Sequence, residues 1–269
     1  MLDIRRLARY ILHVKILIPK NISHFFNEIY SWLKFSVRTI LNFRQIFRYR
    51  AETIKQLYIL GNQGLPLVIL STVFISIVLT LETGKKIEPF GAKLMLGRVV
   101  VIAVLRELGP VITGLMMAGR IGAKIVSEIG NMVLTEQVDA LRAYGTDPIK
   151  RLIAPRVFAA FAVMLPLTFI ADAVGIIAGS FSAITLLNVD FDFFWLSVKQ
   201  GPSLKDLLVG ISKPPFFGLL IGIISAYLGY NLKGGSEGLG MAATKTVMYA
   251  SIAVLLMDFI LTIIIISFF

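Results

Sequence analysis

Cysteine is absent from this 269-residue chain, histidine occurs twice, and charged residues make up only 16% of it. Without cysteine there is no disulfide, no iron–sulfur cluster and no thiol nucleophile. His13 and His24 both lie near the N-terminus, and no spacing of histidines or carboxylates suggests a metal site. No Walker A motif occurs, so the chain does not hydrolyse nucleotide through a P-loop. Gly234-Gly235-Ser236-Glu237-Gly238 matches the G-x-S-x-G nucleophile elbow, but it joins two apolar runs, with no strand before it and no histidine near it. Gly238-Leu239-Gly240-Met241-Ala242-Ala243 half-matches a dinucleotide fingerprint and fails for the same lack of a strand. A membrane-embedded lipid enzyme is therefore disfavoured.

What the chain does have is apolar mass: 57% hydrophobic residues and a mean hydropathy of +0.81. Soluble domains are nearer ~45–50% apolar and ~25% charged. That much apolar surface does not fit inside one compact core, and disorder is excluded by the same numbers. The natural solvent is a bilayer. The net charge of +11 does not indicate a nucleic-acid binder, because eight of those charges fall in residues 1–55, where eleven Lys and Arg face three acids. Ile22, Phe25, Phe26, Ile29, Leu33, Val37, Ile40 and Leu41 recur there at steps of three and four. The spacing predicts a helix with one apolar and one basic face, suited to an anionic membrane surface. Residues 1–61 thus form a basic amphipathic, interfacial region ahead of a membrane domain over 62–269.

A span needs about 20 largely apolar residues. Five runs qualify, at about 62–81, 95–118, 157–187, 207–232 and 247–269, and no strand alternation competes with them. The fold class is an all-α integral membrane protein. The basic N-terminus belongs in the cytoplasm, which puts the C-terminus on the opposite side, although the 82–98 loop carries Lys85, Lys86, Lys93 and Arg98 against the rule.

Residues 119–156 are too polar to span and fall on the cytoplasmic side. They read as helix, turn, helix, with Thr135 as a cap, Glu136 and Asp139 in the first turn, and a break at Gly145-Thr146-Asp147-Pro148. Their mixed charge favours docking to a soluble partner over simple attraction to anionic lipid. Arg106 and Glu107 interrupt the second span, each at a cost of about 2.5–3.5 kcal/mol at the bilayer centre. They mark either a structural bridge to Asp172, Lys213 or Asp258, or a substrate pathway. Gly175–Gly179 and Gly218–Gly222 are GxxxG pairs that permit close helix approach, within the chain or across a homodimer.

Arg106-Glu107-Leu108-Gly109-Pro110, Ala118-Gly119-Arg120-Ile121-Gly122-Ala123, Glu128-Ile129-Gly130-x-Met132 and Thr135-Glu136-Gln137-Val138-Asp139-Ala140-Leu141 resemble the signature run of the MlaE (YrbE) family of ABC-transporter permeases. Gly145-x-Asp147-Pro148 and Ala154-Pro155-Arg156 continue it. Ser236-Glu237-Gly238-Leu239-Gly240, Thr244-x-Thr246-Val247 and Ala250-Ser251-x-Ala253-Val254-Leu255-x-x-Asp258-Phe259 are similar to its second block. The resemblance covers roughly 61–268. It implies a homodimeric permease that moves phospholipids or related lipids between membranes. It also implies a separate ATPase subunit that binds the ATP, with no cofactor in this chain, and often an MCE-type substrate-binding partner. It puts ATPase coupling on Glu128, Thr135, Glu136, Gln137, Asp139 and Asp147. It puts a lipid cavity around Arg106 and Glu107, with Asp172 and Asp258 as intramembrane structural charges. The membrane implied is a bacterial inner membrane or, as the alternative, the inner envelope of a plastid. The competing reading is an ion- or proton-coupled secondary transporter relaying through Glu107, Asp172 and Asp258, which lacks an evident inverted repeat.

Overall fold

The computed structural model describes residues 20–90 and 95–268, and among them all regular structure is helical. The expected amphipathic helix is α1, Lys20–Leu41. Ile29, Leu33, Val37 and Ile40 are exposed along one side of it, while residues 1–19 and the side chains of Ile22, Phe25 and Phe26 lie outside what is described. A short 3-10 turn, Asn42–Gln45, leads to α2, Arg50–Ile87. Next come α3, Leu96–Leu134, and the short α4, Gln137–Ala143. The chain continues with α5, Ile149–Leu187, α6, Phe191–Gln200, α7, Leu204–Tyr230, and α8, Gly235–Phe268. Helices α2, α3, α5, α7 and α8 are long and apolar enough to cross a membrane.

Each of these five helices matches one of the apolar runs, α7 stopping two residues short of its run, and most start well before or end well after it. Residues 119–134 continue α3 and bury Ile121, Ile125 and Ile129. The helix–turn–helix of the polar segment therefore uses the second membrane helix itself as its first arm. Helix α6 has no counterpart in the sequence reading. Asp190 caps it by accepting from the amides of Asp192 and Phe193, and Phe194 anchors it to the start of α3.

Helix α2 lies along α5, α5 packs on α7, and α3 is gripped by α7 and α8. The stripe of α2 that faces inward is largely small or polar: Thr53, Gln56, Leu60, Gly64, Val68, Thr72, Ser76, Thr80 and Gly84. In a bilayer, apolar side chains gain little by leaving lipid, so close packing through small residues carries helix association. Both GxxxG pairs are used within the chain. Gly175 and Gly179 meet Ser76 and Thr80 of α2, and Gly218 and Gly222 rest against Ala160 and Val157 of α5. A Cβ on Gly218 would collide with the Ala160 carbonyl.

Candidate functional site

Helix α3 does not run as a plain α-helix through Arg106 and Glu107. Residues Val104–Leu108 form a π turn, in which the amide of Gly109 donates to the carbonyl of Val104. Pro110 follows directly. It has no N–H to give to the Arg106 carbonyl, so the ordinary ladder is already broken there. Such bulges recur at functional sites. Close approach is built around this turn: a Cβ on Gly210 would strike the Leu105 carbonyl, and one on Gly109 would strike the Asp172 carboxylate.

The turn sends its two charges to different partners on α7. Glu107 accepts from Lys213 Nζ at 2.7 Å, and Lys213, with a side chain 0% exposed, also stands 2.9 Å from Asp258 Oδ1 of α8, off the hydrogen-bonding direction. Arg106 donates to Asp206 Oδ1 at 3.3 Å. Among the candidate partners named from sequence, Lys213 and Asp258 thus join Glu107, whereas Arg106 turns away from Asp172 and Asp258. Its partner is Asp206, which sequence reasoning missed. The available signal was the S-x-x-D pattern Ser203–Asp206, which forms a capping box at the start of α7. Asp172 is buried beside Gly109, and its Oδ1 has no hydrogen-bond partner. Glu107 keeps 42% of its side chain exposed, so the cluster opens toward the outside of the chain although Lys213 does not. Helix α8, which supplies Asp258, leaves nearly nine-tenths of its most apolar window uncovered.

At the other end of the bundle α4 projects beyond the membrane helices. Val138 is buried, while Glu136, Gln137, Asp139 and Tyr144 are exposed. Thr135 does not cap α4: its hydroxyl donates to the Asn131 carbonyl, accepts from Gln137 Nε2, and so closes α3. The N-cap position falls on Glu136, in the left-handed region at φ 57 with no side-chain cap, because the chain reverses there without a glycine. Asp139 pairs with Arg142 at 2.7 Å, and Arg142 donates to the Tyr230 hydroxyl at 2.6 Å. That bond to Tyr230 holds the Arg142 guanidinium above its ordinary range. Tyr230 in turn packs on Phe35 of α1. Asp147 accepts from Arg38 of α1 at 2.9 Å and from the Ile149 amide.

Glu128 is engaged inside the bundle. It receives Lys124 at 2.9 Å, Arg156 at 3.1 Å and Gln56 at 3.2 Å. Arg156, 3% exposed, also reaches Glu52 at 3.4 Å, so α2, α3 and α5 are tied by one polar cluster. Of the six residues assigned to coupling, Glu136, Gln137 and Asp139 are exposed on α4 and its start, Thr135 closes α3, Glu128 is engaged inside the bundle and Asp147 pairs with α1. Among the described residues no cluster of three metal-ligating side chains occurs.

A family model described as Permease MlaE matches residues 53–264. A Haemophilus influenzae protein, the intermembrane phospholipid transport system permease protein MlaE, is 39% identical over 81% of this chain and 84% of its own length. A probable ABC transporter permease protein of Rickettsia typhi is 37% identical over 94% of this chain and 97% of its own. Another, from Pyropia yezoensis, is 33% identical over 87% and 92%.

Proposed function

Since the chain belongs to the MlaE permease family, we propose that it is the membrane-spanning subunit of an ABC transporter moving phospholipids or related lipids between membranes. It acts as a homodimer driven by a separate ATPase subunit and served by an MCE-type lipid-binding partner, in a bacterial inner membrane or, alternatively, a plastid envelope. It carries out no hydrolysis of its own.

The observation that supports this best is α4: a short exposed helix on a chain without a P-loop, locked to α7 through Arg142–Tyr230, with the turn that follows it tied to α1 through Arg38–Asp147. A push on α4 therefore reaches α7, which carries the Lys213 and Asp206 contacts to the π turn. The open side of that turn, where Glu107 is exposed beside α8, is where a second copy completes a lipid cavity. Arg106 there offers forked donors to a lipid phosphate. A secondary transporter relaying through Glu107, Asp172 and Asp258 is not favoured by the family relation.

The test is Glu136→Lys/Asp139→Lys in the reconstituted complex. The double variant inserts normally and loses lipid-stimulated ATP hydrolysis. Undiminished coupling removes α4 as the docking element.

A further inference from the structure

On the coupling side of the bundle a cavity of about 520 Å³ lies where α1 gives way to α2. We infer that it binds the headgroup phosphate of an anionic phospholipid that is not the cargo. Its walls carry Arg48, Arg50 and Arg151, with Met132, Glu52 and the buried Arg156 behind them. The first three arginines are exposed, and none of their guanidinium groups has an ion-pair or hydrogen-bond partner among the described residues. The acids at hand are already committed, since Arg156 takes both Glu52 and Glu128.

The backbone adds to the positive charge. Helix α2 begins at Arg50 and α5 at Ile149, so two helix starts, each with a partial positive charge, converge on the three arginines. Cations at a helix N-terminus are unfavourable unless an anion joins them. Asp147 already accepts from the first amide of α5 and Glu52 lies in the first turn of α2, but neither pairs with the three guanidinium forks, and forked donors suit a phosphate.

The position selects a lipid over a free anion. Phe47, next to Arg48 in the chain, and Ile54 and Tyr58, one and two turns beyond Arg50 on α2, are 87%, 62% and 70% exposed, and the apolar stripe of α1 precedes them in the chain. A headgroup in the cavity thus has its acyl chains along an apolar, uncovered surface. The one carboxylate lining the cavity, Glu52, is already taken by Arg156 and Gln56, so none is left there for the ammonium of a zwitterionic headgroup, which favours a purely anionic one such as phosphatidylglycerol. The site is distinct from the proposed cargo cavity at Arg106, which lies in the first third of α3, far along the helix from Met132.

The experiment uses the full chain in detergent, titrated with phosphatidylglycerol or phosphatidylcholine and read by native mass spectrometry. Wild type retains one more phosphatidylglycerol per chain than Arg48→Gln/Arg50→Gln/Arg151→Gln, whose apparent affinity for it falls at least ten-fold. Phosphatidylcholine binding is the same in both. Arg151→Gln alone, the gentler variant, gives an intermediate loss. Equal phosphatidylglycerol retention overturns the inference. So does equal displacement by inorganic phosphate, which marks a free-anion site, or loss of the ATPase subunit with lipid retention intact, which marks a protein interface. A chain that fails to transport lipid still shows the phosphatidylglycerol difference, so this test stands apart from that of the proposed function.

Discussion

Lys213→Met removes the cation that stands between Glu107 and Asp258 while keeping an unbranched side chain of similar length. In the native chain one fully buried ammonium serves two carboxylates, at 2.7 and 2.9 Å. Breaking a buried ion pair by removing one partner costs about 3–5 kcal/mol, because the remaining charge stays buried without compensation. Asp258, with 19% of its side chain exposed, bears more of that cost than Glu107, which reaches the outside. For a chain of this size about 1 kcal/mol moves the melting temperature by about 2–4 °C, so the single variant melts roughly 6–20 °C lower. Thermal unfolding in detergent, followed through Trp32 and Trp195, measures it. Adding Glu107→Gln and Asp258→Asn removes the stranded charges, and the triple variant regains a large part of the loss. A single variant within about 2 °C of wild type, or a triple variant no better than the single, refutes the view that Lys213 is held by its two carboxylates.

Gly210→Ala drives a Cβ into the Leu105 carbonyl and destabilises the chain by about 1–3 kcal/mol, while Gly240→Ala, with open space at the Cβ position, leaves the melting temperature within error. Arg106→Ala lowers the lipid carried through purification if Arg106 meets the cargo, and Asp206→Asn does not, since it leaves the guanidinium in place; equal lipid content in both variants and wild type removes Arg106 from the cavity. Single cysteines at Ser23 and Ser267, in a chain that has none, label from opposite faces with an impermeant thiol reagent, and labelling from one face means an even number of crossings.

The five crossings were legible because each leaves an apolar run that nothing else in a soluble chain requires. Their extents were not, because a bundle also continues its helices through polar residues once partners exist. Residues 119–134 look too charged to span, yet Lys124 and Glu128 neutralise each other one turn apart and Arg156 closes the set from α5. The cost of Arg106 and Glu107 was readable, and Lys213 and Asp258 were among the partners named for it. Which charge meets which was not, nor was Asp206 at all, because the partners lie about a hundred positions away, a separation that no local pattern encodes. Thr135 was misread because a hydroxyl at a helix boundary can serve the helix before it as well as the one after it. Helix α6 was missed since Phe191–Gln200 is too short for a span and its only cue, the cap at Asp190, sits in a loop.

The burial of Lys213 also fixes an order of manufacture. Helix α7 enters the membrane carrying a lysine beside Pro214 and Pro215, an insertion that costs about 2.5–3.5 kcal/mol for the charge alone. A ribosome delivers the chain from its N-terminus, so Glu107 in α3 is already in place when Lys213 emerges, whereas Asp258 arrives only with the last helix. The nascent α7 is thus received by α3 as a lysine–glutamate pair, and α8 brings the second carboxylate. A chain stopped short of α8 keeps the Glu107–Lys213 pair but lacks Asp258, the group that ties the last helix to it.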